Sequence, residues 1–449
     1  MWQIIVPIFY LVSGLFLLVI VALKPKLFWP ILIAIVVGAN GLIMFPRSSN
    51  PQALVDEYFT GCILLGCLLA ISIGAIRFKK EQGNIWDFLY RWILFLLISY
   101  MIIESIRGLL LWGDLRLIRW VLYYSMLGTL AFILSKCDLP FPNIRKTSLI
   151  IVLSLLIYFA AYLTHGLFTK YIRGISVFRL DIQGYEWMGG AAACFPLIVA
   201  MPAAIFIFKY GPRNKRWLNW TFLFLTIVIA YFYDVRSAFV TIMAFLFISP
   251  SVIKWRQTTL FFIIVFGLLF LFYKYNFTSL LNAILETVSF KYSGDVGRWS
   301  TIKASINATS ESLLTFFFGY GIHSHHFILG PYLKEVGHIF PQGVPSYVRV
   351  TGFGSLFTDL GLIGILLIIM NFLILARKFL FQKNNPARYI FLLSLFLPLG
   401  WILFSKIEDM VLLWLMIMPS GLLTKMAQMV QHESAGPRLL KDSPNPMTQ

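Results

Sequence analysis

The feature that most constrains this chain is a succession of apolar runs, each about as long as the 20 residues that a helix needs to cross a bilayer. Such runs leave no room for a soluble core, because every helix face would be apolar. They predict an all-α polytopic membrane protein with about 13 transmembrane helices. The predicted spans are 3–23, 27–46, 58–76, 90–110, 117–135, 148–168, 188–208, 217–233, 236–253, 259–276, 351–376, 388–405 and 409–427.

Composition supports the same fold class and excludes others. Hydrophobic residues make up 59% of the 449 residues, and the charged share of 12% is far below that of soluble domains. The net charge of +18 does not indicate a nucleic-acid partner, since no basic patch with interleaved aromatics lies in a soluble domain. The four cysteines form no CxxC pair, so they predict neither a metal site nor a disulfide framework.

Basic residues set the predicted orientation. Short loops rich in lysine and arginine alternate with loops poor in them, and the positive-inside rule places the basic loops in the cytoplasm. This orientation places residue 1 on the outer side of the membrane. The chain divides into an N-terminal bundle of about 10 spans, an outer loop, C-terminal spans and a disordered cytoplasmic tail. Their ranges are 1–276, 277–350, 351–427 and 428–449.

Arginines recur on the predicted outer side, where positive charge is normally scarce. Arg173 and Arg179 lie with Glu186 in the outer loop 165–187, and Arg236 opens a span beside Asp234. Guanidinium groups match phosphate oxygens bidentately, which favours an anion-binding role. The alternatives left open are an interfacial segment for the loop, and for Arg236 an ion pair with Asp234 or snorkelling to the interface.

The long outer loop is predicted to contain a helix. Asp295 can cap a helix that runs through Trp299, Ile302 and Ile306 to Leu313 and Leu314, a spacing that gives one apolar face. The first turn of this helix contains Arg298, and the loop also carries Arg349 near its end.

Four of the six histidines follow this helix, at His323, His325, His326 and His338. Such a cluster can bind metal, act as a catalytic base or hydrogen-bonding site, or consist of ordinary loop residues. The His-Ser-His-His order has no nearby cysteine and no HExxH spacing, so we predict no metal site. Walker A, GxGxxG and GxSxG motifs are also absent from the sequence.

One charged pair lies inside a predicted span. Glu104 and Arg107 are three residues apart in the fourth span, where charges are costly unless they pair or line a cavity. We predict a neutralising intrahelical pair, with a transport or proton pathway as the alternative.

A set of ordered motifs resembles a known superfamily. The set comprises Val235–Val240 entering a span, Gly-Arg-Trp at 297–299, Phe-Gly-Tyr-Gly at 318–321 and the Gly-spaced span at 353–364. With one large outer loop near three-fifths of the chain, this layout resembles the bacterial O-antigen polymerases and O-antigen ligases. The ligases usually carry a histidine just before the last Gly-x-x-Gly span. Residues 346–351 have none, which favours a polymerase.

The resemblance implies a GT-C-like fold with a periplasmic loop, in the bacterial inner membrane. It implies glycosyl transfer from a polyprenyl-diphosphate-linked oligosaccharide to a lipid-linked acceptor sugar, with no cofactor and no metal. Membrane lipid and a chain-length-regulating membrane protein are further candidate partners. The expected diphosphate and glycan ligands are Arg173, Arg179, Arg236, Arg298, Arg349, Tyr320 and Trp299, and the expected acid–base residues are His323, His325 and Glu186, with Arg298 also assigned a catalytic role.

Two other functions stay open from the sequence. The first is an O-antigen ligase, in which the histidines after Gly321 would substitute for the missing one. The second is a flippase for lipid-linked oligosaccharides, which should carry charges along its spans. Charge within the predicted spans is sparse here, and the polar residues concentrate in the outer loops.

Overall fold

A computed structural model describes residues 2–27, 55–78, 85–114, 117–138, 298–336 and 352–380, together with two short strands and a few single positions between 149 and 221. This part of the chain is mostly helical. Its helices are α1 (Trp2–Leu23), α2 (Val55–Ser72), α3 (Ile85–Trp112), α4 (Ile118–Lys136), α5 (Arg298–Thr309), α6 (Leu313–Phe318), α7 (His325–Glu335) and α8 (Gly352–Leu380).

Helical structure is confirmed at the predicted spans 3–23, 58–76, 90–110, 117–135 and 351–376. Two stretches, Phe88–Trp112 and Gly352–Arg377, are long and apolar enough to cross a membrane, and Leu11–Leu23 and Gly61–Ser72 are shorter apolar helices. Large apolar side chains on α3 and α8 are exposed, among them Phe95 and Leu373. The other predicted spans lie outside the described residues or are described at single positions only.

The direction of the helix pairs is fixed by contacts along their length. In the α1–α2 pair, Tyr58 donates to the carbonyl of Leu11 at 2.7 Å. Further along, a Cβ on Gly66 would lie 2.9 Å from a Val21 side-chain atom. The pair therefore runs parallel, which is the direction that alternating spans require for the first and third of them.

Helices α3 and α8 run antiparallel. The guanidinium of Arg377 lies 4.1 Å from the ring centroid of Trp86 at one end of the pair. Nearer the other end, the Tyr100 hydroxyl donates to the carbonyl of Leu360 at 2.7 Å. Helix α4 packs against α3 where Gly128 faces Ile98. The end of α3 and the beginning of α8 therefore lie on one side of the bundle.

Two short antiparallel sheets connect other segments. Strand β1 (Arg77–Phe78) follows α2 and pairs with β2 (Cys137–Asp138), which follows α4. Strands β3 (Asp181–Ile182) and β4 (Tyr185–Glu186) pair with each other. The first sheet brings together two loops that the positive-inside rule assigns to the same side of the membrane.

The predicted helix after Asp295 is confirmed only in part. Helix α5 begins at Arg298, but it ends at Thr309, and Leu313 and Leu314 belong to the separate helix α6. Helix α6 begins there because Ser312 and Thr315 form a capping box, with the Thr315 N–H donating to the Ser312 hydroxyl at 3.0 Å. Asp295 lies outside the described residues.

The apolar residues predicted along α5 do not form its buried face. Ile306 is 42% exposed, whereas small residues fill the buried face at Thr301, Ala304, Ser305, Ala308 and Thr309. Leu329 and Leu333 of α7 pack against Ala304 and Ala308. Small side chains let helix backbones approach closely, and the buried hydroxyls donate to carbonyls one turn earlier, as Ser305 does to Thr301 at 2.8 Å.

Candidate active site

A break in α8 creates the docking place for the segment 318–325. Gly361 has φ 61° and ψ −165°, which is not helical, so carbonyls in the preceding turn lose their usual partners. The segment supplies new ones. Tyr320 N–H donates to the carbonyl of Thr358 at 2.9 Å and Gly321 N–H to that of Asp359 at 3.0 Å. Two backbone hydrogen bonds thereby hold the segment against α8.

Glycines allow the segment to lie directly against α3. A Cβ on Gly321, whose φ is +95°, would lie 2.6 Å from the backbone nitrogen of Gly108. A Cβ on Gly108 would lie 2.8 Å from the carbonyl oxygen of Ile322. Because no side chain fits at either position, the Ile322 N–H reaches the carbonyl of Glu104 at 3.1 Å.

Glu104 and Arg107 form the intrahelical ion pair that the sequence predicted, with 2.9 Å between Arg107 Nη2 and Glu104 Oε2. The pair has a second use. Arg107 Nη2 donates to the carbonyl of Phe318 at 2.9 Å and to that of Gly319, at the end of α6. A cation there satisfies carbonyls that a helix end leaves without partners. The guanidinium of Arg107 therefore fixes the docked segment to α3.

Asp359 is the polar centre of the site. Only 5% of the residue is exposed, and three donors converge on its carboxylate. The backbone N–H of His323 donates to Oδ2 at 2.7 Å, and that of His325 donates to Oδ1 at 2.9 Å. The ring nitrogen Nδ1 of His325 lies 2.8 Å from Oδ2. An ionised carboxylate only accepts, so with Asp359 ionised and His325 neutral the proton is on Nδ1 and the lone pair is on Nε2.

The backbone at His323 has an uncommon conformation that accompanies this arrangement. Its φ is 64°, a value that glycine favours and that costs other residues about 1–3 kcal/mol. The His323 ring stacks on Trp120 of α4, with centroids 3.9 Å apart and planes at 24°. Such a local penalty persists where the surroundings determine the conformation, which is frequent at functional sites.

Three histidine rings cluster at this position. The centroids of His325 and His326 are 3.9 Å apart, and that of His323 lies 5.6 Å and 5.5 Å from them. His325 is buried, whereas His323 and His326 are half-buried. A small cavity beside the cluster is lined by His323, His325, Asp359 and by Met101, Tyr124, Ile322, Ser355, Leu356 and Leu360.

Hydrogen bonds and ring contacts with neighbouring helices hold the segment 318–325 in place. Trp112 Nε1–H donates to the Ser324 hydroxyl at 2.7 Å, and the same hydroxyl donates to the Tyr320 carbonyl at 2.7 Å. Trp112 also stacks on Phe327 at a centroid distance of 5.2 Å. The segment is therefore bound to α3, α4 and α8 at once.

A carboxylate with two tyrosines lies beside the site. Tyr332 and Tyr320 both donate their hydroxyl protons to Glu311, the latter at 3.0 Å. These bonds hold the pKa of the Glu311 carboxyl below its ordinary value. Burial, followed by the bonds to Glu311, raises the pKa of Tyr320 and of Tyr332. Tyr320 thus has a structural partner in addition to the glycan role predicted for it.

The structure brings together three of the predicted site residues: His323, His325 and Tyr320. Arg298 and Trp299 begin α5, as predicted, and Glu186 ends β4, but the structure describes only their backbone. The predicted phosphate ligands Arg173, Arg179, Arg236 and Arg349 lie outside the described residues.

The sequence interpretation missed Asp359, Trp120 and the docking role of Arg107. A signal for Asp359 existed, because an acidic residue in an apolar span is expensive and usually functional. Trp120 had no local signal, since its contact with His323 joins distant parts of the chain. Comparison with protein-family models and with curated protein sequences finds no match to this chain.

Proposed function

We propose that this protein is a polysaccharide polymerase of the bacterial inner membrane, acting on O-antigen or exopolysaccharide units. It would transfer glycan from a polyprenyl-diphosphate donor to a lipid-linked acceptor sugar. The observation that carries the proposal is the buried pair of His325 and Asp359 at the adjoining ends of two long apolar helices. The ordered motifs that resemble the O-antigen polymerases support it independently.

The proposed topology has about 13 spans and places 277–350 in the periplasm. Two pairings support it. Strands β1 and β2 join two loops that the charge pattern assigns to the cytoplasm. The segment 318–325 binds the end of α3 and the beginning of α8, which the same pattern assigns to the outer side. Each pairing therefore joins segments that the proposal puts on one face.

The proposed step begins with the acceptor hydroxyl. His325 Nε2 takes the hydroxyl proton while the oxygen attacks the anomeric carbon of the donor sugar. The bond between that carbon and the phosphate oxygen breaks, and polyprenyl diphosphate leaves with the bonding electrons. Asp359, 2.8 Å from Nδ1, stabilises the imidazolium that forms. His323 and Glu186 are the alternative bases that the sequence offers.

Arginines are proposed to stabilise the leaving diphosphate. Arg298, in the first turn of α5, and the predicted ligands Arg173, Arg179, Arg236 and Arg349 are the candidates. Removing one such donor typically reduces the rate about 10²–10³-fold. Arg107 is not among them, because it already donates to the carbonyls of Phe318 and Gly319. Trp299 and Tyr320 are the proposed stacking residues for the glycan.

One observation favours the second candidate, an O-antigen ligase. The ligases resembled here have a histidine just before the last Gly-x-x-Gly span, and Asp359 brings His325 to the corresponding helix α8. His325 could therefore take the role of the histidine that the ligases carry just before this span. Transport remains the alternative of another class, but pairing of Glu104 with Arg107 gives it no support.

Deletion of the gene in its native host, followed by gel analysis of surface glycans, tests the proposal. A polymerase predicts that long chains disappear while single-repeat products remain. A ligase predicts loss of all lipid A-attached polymer, with lipid-linked polymer retained. An unchanged glycan pattern would contradict both enzymes.

A further inference from the structure

The histidine cluster offers a second use of the same side chains. One ligand nitrogen from each of His323, His325 and His326 can be chosen so that all three lie within 4.8 Å of one another. The sequence predicted no metal here, because the spacing matches no zinc motif. The folded segment nevertheless brings three imidazoles together, with His323 placed by its positive φ.

The carboxylate behind His325 is the second observation that points to a metal. Imidazole ligands of zinc almost always donate their other ring N–H to a carboxylate or carbonyl, which fixes the tautomer. His325 Nδ1 makes such a bond to Asp359 at 2.8 Å, so its ligand atom would be Nε2. Two further N–H donors hold that carboxylate, and therefore the imidazole, in place.

A zinc site would require the three ligand nitrogens to lie closer together than the 4.8 Å within which they can now be chosen. Zn–N bonds of about 2.0–2.1 Å place the donors of a tetrahedral site about 3.3 Å apart. His325 is buried and bonded to Asp359, so the half-buried rings of His323 and His326 would make most of the movement that brings the donors together. Three imidazole nitrogens suit Zn²⁺ and its neighbours in the transition series, whereas Mg²⁺ and Ca²⁺ prefer oxygen.

We propose that His323, His325 and His326 form a binding site for one Zn²⁺-class ion, with Asp359 as the positioning residue and one coordination place left for solvent or a hydroxyl. The ion and a proton from the acceptor compete for His325 Nε2. Zn²⁺ should therefore inhibit glycan transfer, and this consequence alone rests on the proposed function.

The test uses the full chain, purified in detergent without a polyhistidine tag and stripped with a chelator. We expect one equivalent of Co²⁺ to bind with the visible absorption of a tetrahedral site, and Zn²⁺ to displace it. His323→Gln and His326→Gln should each weaken binding about 10-fold or more, and Asp359→Asn about 10–100-fold. His432→Gln, in the predicted cytoplasmic tail, is the matched control and should bind as the unaltered protein does.

Absence of binding, or binding that His323→Gln and His326→Gln leave unchanged, would overturn the metal site. If those variants fail to fold, the unaltered protein still decides the matter. Zn²⁺ should then protect His323 and His326 from diethyl pyrocarbonate, read by peptide mass spectrometry, and equal modification with and without Zn²⁺ would refute the site. Metal binding without any effect of Zn²⁺ on transfer would contradict only the role of His325 as base. Metal binding by a protein that transfers no glycan would contradict the proposed function and leave the metal site unaffected.

Discussion

Asp359 binds His325 at two points. The backbone N–H of His325 donates to Oδ1 at 2.9 Å, and its ring Nδ1 lies 2.8 Å from Oδ2. One carboxylate thus holds both the backbone and the imidazole ring of the histidine. A base that offers one defined nitrogen is what activation of a sugar hydroxyl needs.

The close approach of the docked segment to α3 should make Gly321 irreplaceable. In Gly321→Ala, a residue with a positive φ gains a Cβ that would lie only 2.6 Å from the backbone nitrogen of Gly108. Gly74→Ala is the matched control, because Gly74 has φ +71° but nothing within 4 Å of the added Cβ. We expect thermal unfolding in detergent to show that Gly321→Ala is the more destabilising by about 1–3 kcal/mol. Equal effects would contradict the docking described.

The ion pair on α3 should be coupled in energy. Arg107→Gln leaves the buried Glu104 uncompensated and also removes the donor to the Phe318 carbonyl. We expect a loss of about 3–5 kcal/mol, part of which returns in the double variant with Glu104→Gln. A double-mutant cycle on thermal stability measures this coupling. Additive effects would show that the two groups do not interact.

Stability near the site should depend on pH through Glu311. Its pKa is lowered by hydrogen bonds from Tyr332 and Tyr320, so its contribution is present above the ordinary glutamate pKa of about 4.3 and is lost as pH falls below it. Glu311→Gln should reduce the fall of the melting temperature as the pH is lowered, measured in thermal unfolding scans. An equal fall of the melting temperature in both proteins would contradict the assignment.

The proposed topology predicts where single cysteines react. Lys334 and Lys24 are both exposed, on α7 and at the end of α1. A membrane-impermeant maleimide should label Lys334→Cys in intact cells, but Lys24→Cys only after permeabilisation. The described native cysteines, Cys62, Cys67 and Cys137, are buried, and the unaltered protein measures any background. The reverse labelling pattern would put the site on the wrong face for a periplasmic enzyme.

The sequence predicted what depends on local pattern. The length of the apolar runs was sufficient to predict α3 and α8. The three-residue spacing of Glu104 and Arg107 was sufficient to predict their ion pair. Arg298 was correctly placed in the first turn of a helix. These features follow from residues within a few turns of one another, where helix geometry determines which side chains meet.

The centre of the site could not be predicted in the same way. Asp359 meets histidines 34 and 36 positions away, and only the break at Gly361 turns α8 carbonyls toward Tyr320 and Gly321. The buried face of α5 was not predicted, for a related reason. The isoleucines marked an apolar stripe, but close packing against α7 and α8 selected the small residues instead.

The most direct test of the account is complementation of the deleted gene with variants of the buried pair. His325→Gln and Asp359→Asn should restore membrane-inserted protein but reduce long-chain glycan by about 10² or more, the size of a lost acid–base contribution. Asp138→Asn is the matched control. Asp138 lies on β2, just after the end of α4, and the length of α4 from Trp120 to that end is about 24 Å. This variant should therefore restore the full chain-length ladder. A normal ladder from His325→Gln would contradict the central claim.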